Sequence, residues 1–114
     1  MILGIGTDIV DISRVRKAIS NAFLAKVLSG EELEKAASMS EERKIQFTAG
    51  RFAAKEAIIK CLSDHEVPEM CNLNIINNEK GKPEIQYKDY RILISISHER
   101  KFAVATAILE EEGL

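Results

Sequence analysis

From residue 2 to residue 10 the chain sets Ile2, Leu3, Ile5, Ile9 and Val10 around Gly4 and Gly6, a short apolar run that predicts a strand. The period then changes. Ile12, Val15 and Ile19 recur at helical spacing behind Asp11, a good capping residue, which predicts a short helix over 11–20. Phe23, Leu24, Val27 and Leu28 form a second apolar cluster at helical spacing. Ser29-Gly30-Glu31-Glu32 has the form of a capping box and predicts a third helix through Ala37. Ser40-Glu41-Glu42 places acids in a first turn, where the helix dipole favours them, and opens the longest helix, to about Leu62.

Beyond Leu62 the pattern is extended. Residues 63–68 predict a loop, 73–76 a strand, 77–83 a dense turn and 84–87 another strand. Along 91–97, Ile92, Ile94 and Ile96 alternate with Leu93, Ser95 and Ser97. Along 102–109, Phe102, Val104, Thr106 and Ile108 alternate with Ala103, Ala105 and Ala107. Joined by His98-Glu99-Arg100-Lys101, these two runs predict a hairpin. One strand, several helices and an antiparallel meander make an α+β fold, with short helices and one long helix covering one face of an antiparallel sheet.

The 114 residues suit one domain, 1–114. A net charge of −2, from 16 basic and 18 acidic residues, argues against a general nucleic-acid binder. A local basic cluster remains at Arg14, Arg16 and Lys17. Nothing resembles a signal peptide or a membrane span, so the expectation is a soluble cytoplasmic protein with Cys61 and Cys71 as free thiols.

Glu56 is the most informative single position. On the long helix its stripe holds Ile45, Ala49, Phe52, Ala53, Ile59 and Lys60, so a carboxylate sits among apolar residues. Such a group is paired, protonated or metal-bound. An ordinary Glu56–Lys60 pair at i,i+4 is one reading. Asp8 follows two glycines on the first strand and ends that strand, helps cap the helix near Asp11, or holds a ligand. Two carboxylates on separate elements could share Mg²⁺ with water and phosphate oxygens.

Other patterns fail. Gly4-Ile5-Gly6 lacks the third Gly of a dinucleotide fingerprint, and Gly81-Lys82-Pro83 is not a Walker loop. The two Cys and two His make no zinc pattern. Ser97 and His98, adjacent on a strand, point to opposite faces.

In order along the chain, Gly4-Ile5-Gly6-Thr7-Asp8-Ile9-Val10 with Arg14, the run from Arg51 through Lys55-Glu56-Ala57 to Lys60, Gly81-Lys82-Pro83, and Ser95-Ile96-Ser97-His98 resemble the motifs of the holo-acyl-carrier-protein synthase family. The resemblance extends from near residue 2 to near residue 109. It implies a 4'-phosphopantetheinyl transferase-like fold. It also implies transfer of 4'-phosphopantetheine from coenzyme A to a serine of an apo-acyl carrier protein, with release of 3',5'-ADP, in support of fatty acid biosynthesis.

On that resemblance Asp8 and Glu56 would hold Mg²⁺, and Glu56 or a water on the metal would take the serine proton. Lys60 would neutralise charge growing on the phosphates. Arg51, Lys60, Gly81, Lys82, Pro83 and His98 would contact coenzyme A. Arg14, Arg16 and Lys17 would dock an acidic carrier, and the assembly would be a homotrimer with active sites between subunits. Phosphoryl transfer asks mainly for positioning and charge neutralisation, which these residue types supply. A metal-dependent hydrolase of coenzyme A and a non-catalytic oligomeric module are the competing classes.

Overall fold

In the computed structural model, which describes residues 1–62 and 66–111, five strands form one antiparallel sheet with four helices on one face. The strands are β1 (Ile2–Asp11), β2 (Ile76–Asn77), β3 (Pro83–Tyr87), β4 (Tyr90–His98) and β5 (Phe102–Glu111), in the order β1-β5-β4-β3-β2. The helices are α1 (Ile12–Ala18), α2 (Asn21–Val27), α3 (Gly30–Ala37) and α4 (Glu41–Cys61). The α+β arrangement expected from the pattern is therefore the one observed. Of the loop expected over 63–68, Ser63, Asp64 and His65 lie outside the described residues.

Each helix begins on a side-chain cap. Asp11 Oδ1 accepts from the Ser13 backbone N–H at 2.9 Å, and Ser20, Ser29 and Ser40 accept from the amides three residues on. At Ser29 the box is reciprocal, since Glu32 Oε1 accepts from the Ser29 backbone N–H at 2.8 Å.

The expected strand over 73–76 is shorter than its pattern suggests. Met70–Asn72 is a 3₁₀ turn, and only Ile76 and Asn77 pair with β3. The backbone before them is held elsewhere. The Ile75 N–H donates to Glu32 Oε2 at 3.3 Å, and the Asn74 side chain accepts from Ser29 Oγ at 2.6 Å. Leu73 and Ile75 are both buried, so the segment is fixed without a ladder.

α4 crosses the inner face of the sheet diagonally. A Cβ at Gly50 would stand 3.3 Å from Ile96 of β4, whereas Cβ atoms at Gly6 and Gly4 of β1 would stand 2.1 Å from the Ala57 carbonyl O and 2.5 Å from the Cys61 carbonyl O. Seven helical residues rise about 10 Å, the width of two strand spacings. Between these ends lies β5, whose inward residues Ala103, Ala105 and Ala107 are small and fully covered. Cys61 Sγ donates to the Ala107 carbonyl at 3.1 Å, and burial pushes that thiol up from its ordinary pKa. Small residues on both surfaces thus let helix and sheet backbones meet directly.

At Gly6 the obstacle to a side chain is a backbone carbonyl, which cannot rotate away. Gly6→Ala should lower stability by about 3 kcal/mol or more in urea unfolding, at the upper end of overpacking costs. Gly30→Ala, at a helix start with nothing within 4 Å of the added Cβ, should be neutral or stabilising by up to about 1 kcal/mol.

Candidate functional site

The close contact at Gly6 sets the next inward-facing residue of β1, Asp8, beside the last turns of α4. Lys60 leaves α4 and donates from Nζ to Asp8 Oδ1 at 3.1 Å and to the Thr7 carbonyl at 2.8 Å. The i,i+4 pair between Glu56 and Lys60 that the sequence allowed is not formed. Glu56, one helical turn before Lys60, is half-buried and has no hydrogen bond or ion pair among the described residues. Lys60 is half-exposed while the Asp8 side chain is largely covered. The result is a mixed-charge cluster at the β1 edge, with one carboxylate held by an ammonium and another nearby on the same helix edge.

Asp8 and Glu56 are donors of the kind that suits Mg²⁺. Two carboxylates are the usual protein contribution when phosphate and water oxygens complete the octahedron. No group of three or more His, Cys, Asp or Glu able to hold a metal occurs among the described residues.

His98 shares the face of Asp8. Asp8 pairs with Ala105 and Ala105 with Ile96, while Val10, Ala103 and His98 form the next row. That register puts His98 two strands over and one row on, roughly 12 Å from Asp8. Gly81, Lys82 and Pro83 lie at the far edge of the sheet. Their turn is built by Asn78, whose side-chain oxygen accepts from the Lys80 and Lys82 amides at 2.9 and 3.0 Å, with Gly81 at φ +83°. Three to four strand spacings separate this turn from Asp8, roughly 15–20 Å. A single chain does not bring the two groups together.

Arg51, expected as a nucleotide contact, engages neighbours within this chain. It is buried, donating from Nε to Glu32 Oε2 at 3.2 Å and from Nη2 to Asn77 Oδ1 at 3.2 Å, with its guanidinium 4.6 Å from the centre of the Phe47 ring. Lys55, which the sequence pattern did not mark out alone, is fully buried. Its Nζ donates to Glu32 Oε1 at 2.5 Å and to the Val27 carbonyl at 2.7 Å. Glu32 is likewise buried and accepts four hydrogen bonds, from the Ser29 amide, Lys55, Arg51 and the Ile75 amide. Burial lowers the pKa of both Lys55 and Arg51, and the adjoining Glu32 carboxylate opposes that shift. The available signal was two cations at i,i+4 on a helix of alanines, an unfavourable pair unless a carboxylate lies between them.

Arg14, Arg16 and Lys17 are exposed on α1. Arg16 makes a bidentate pair with Glu42 of α4, both bonds 2.7 Å, so its charge is already matched within the chain. Cations from Arg14 and Lys17 remain on the solvent side.

A model of the 4'-phosphopantetheinyl transferase superfamily matches residues 4–107. The holo-[acyl-carrier-protein] synthase of Bacillus cytotoxicus is 41% identical over 115 residues, covering 96% of this chain and 97% of that protein. That of Geobacillus sp. strain WCH70 is 39% identical, covering 96% and 98%. Among solved structures, a holo-(acyl-carrier-protein) synthase from Bacillus anthracis in complex with CoA (3',5'-ADP) superposes with a TM-score of 0.89 at 34% identity, covering 97% of this chain and 98% of that one. The synthase of Neisseria meningitidis gives 0.85 at 30% identity, covering 97% and 100%.

The two charged clusters should separate cleanly in stability measurements. Asp8→Asn, Glu56→Gln and Lys60→Met, near the surface, should each stay within about 1 kcal/mol of the parent protein. Glu32→Gln strands two buried cations and should cost about 3 kcal/mol or more. Chemical denaturation of the four variants checks both expectations.

Proposed function

The chain belongs to the 4'-phosphopantetheinyl transferase superfamily, and from that membership we propose that it transfers 4'-phosphopantetheine from coenzyme A to a serine of an apo-acyl carrier protein. The transfer releases 3',5'-ADP, requires Mg²⁺ and serves fatty acid biosynthesis in the cytoplasm. One observation carries the reading: Lys60 of α4 donates to Asp8 of β1 at the edge of the sheet, Glu56 stands one helical turn before Lys60, and the family match spans all three residues.

Mg²⁺, when bound by Asp8 and Glu56, would withdraw charge from the pyrophosphate oxygens of coenzyme A. Lys60, whose ammonium is half-exposed beside Asp8, can turn toward a phosphate and neutralise the charge that grows on it. Glu56 has no internal partner among the described residues, which leaves its carboxylate able to accept the serine proton. The catalytic work is positioning and charge neutralisation, so no nucleophile from the enzyme is needed. Arg14 and Lys17 meet an acidic carrier at α1 and steer its approach; Arg16, tied to Glu42, contributes less.

The working form is a homotrimer with sites between copies, each formed by one domain spanning the chain. Two features support this. The outer face of the sheet is uncovered and apolar, with Ile5 and Ile9 each more than 60% exposed beside Leu93, Phe102 and Val104. In addition, Gly81-Lys82-Pro83 sits at the edge opposite Asp8, so a second copy is the nearest source of such a turn. His98 and that turn would then hold the nucleotide end of coenzyme A.

Intact mass spectrometry of an apo-carrier incubated with the protein, coenzyme A and Mg²⁺ should show a gain of about 340 Da, one phosphopantetheine arm on serine. EDTA should abolish it, as should Asp8→Ala or Glu56→Ala in proteins that still unfold cooperatively. Release of 3',5'-ADP with no carrier modified would identify a coenzyme A hydrolase instead. Light scattering should give a trimer for the parent protein and a smaller species for Ile5→Asp, with transfer falling alongside assembly.

A further inference from the structure

The surface that α4 turns to the sheet is smooth: Gly50, Ala53, Ala57 and Cys61 face Gly4, Gly6 and the alanines of β5. Small residues set how near the helix lies, and Ile45 and Ile58 of the same helix fill the core around them. Directional contacts on the opposite side add to that hold. Glu32, anchored through the capping box of α3 and the Ile75 amide, receives Lys55 Nζ, which also donates to the Val27 carbonyl at the end of α2. Lys55 immediately precedes Glu56, about 100° away around the helix. Whatever fixes the azimuth of Lys55 therefore fixes that of Glu56 and, a turn later, Lys60.

We propose that Lys55 and Glu32 are positioning residues for the Asp8–Glu56–Lys60 cluster, a buried ion pair that clamps the rotation of α4 so that Glu56 is presented at the β1 edge. The proposal rests on the transferase reading above, which makes the direction of Glu56 matter. A buried pair of this kind adds little net stability over an apolar substitute, because desolvating both charges is costly. Its value lies in geometry, since an ammonium shared between one carboxylate oxygen and one carbonyl tolerates little movement.

The test compares Lys55→Met, similar in length but uncharged, with Ile92→Val, a core change on β4 that touches none of the clamp's hydrogen bonds. Both are studied below their unfolding midpoints. Lys55→Met should lower kcat about 10²-fold, as expected for a catalytic group misplaced by around 1 Å. KM for the carrier should stay within about two-fold, since α1 is untouched. Mn²⁺ affinity of the substrate-free protein, titrated by electron paramagnetic resonance, should weaken several-fold. Ile92→Val should change neither quantity. If Lys55→Met fails to fold, Glu32→Asp, which pulls the carboxylate back by one methylene, should give the same paired loss. Parental kcat and Mn²⁺ affinity in a folded clamp variant would overturn the positioning role. A parent protein that modifies no carrier would instead overturn the transferase reading on which it rests.

Discussion

Direct contact between the backbones of β1 and α4 governs this molecule. At Gly6 an added Cβ would stand 2.1 Å from the Ala57 carbonyl oxygen, so only hydrogen fits there. The consequence reaches beyond packing. With strand and helix this close, Asp8 lies within hydrogen-bond reach of a lysine 52 residues away in sequence. An interface of larger side chains would separate the two elements by several ångströms and the cluster at the sheet edge would come apart. The alanines of β5 extend the same condition across the middle of the sheet.

Charge is arranged in two clusters of opposite character on one helix. Arg51 and Lys55 point into the protein and share Glu32, whose four acceptor positions are all filled. Glu56 and Lys60 point to the edge, where water reaches them and internal bonding is sparse. The first cluster is fully satisfied within the chain and the second only in part. Adjacent residues, Lys55 and Glu56, thus lie on the two sides of one helix, whose rotation links them.

The sheet order adds a constraint of another kind. β1 and the β2–β3 hairpin stand at opposite edges, so Asp8 and the Gly81-Lys82-Pro83 turn are distant within one chain. An outer sheet face rich in exposed Ile, Leu, Val and Phe gives a second copy a surface to pair with. In the proposed trimer, one association would both bring the two groups together and bury that face.

Local features of the fold were written plainly in the sequence. The caps at Asp11, Ser29 and Ser40, the alternation along β4 and β5, and the length of α4 each depend on residues within four positions of one another, and all are found as expected. Asp8, Glu56 and Lys60 stood out together through the resemblance of their motifs to the family, since type and spacing alone left a plain ion pair and a strand end open. Long-range partners were not legible. Lys60 could have bonded Glu56 four residues away but turned to Asp8, and Arg51 became an interior ion-pair partner. Residues 73–75 lost their ladder to a carboxylate on α3. In each case the partner is a distant group that tertiary packing brought near. Sequence by itself determined the elements and the chemical inventory; the tertiary structure decided which charges are buried, which remain available and which edge of the sheet they occupy.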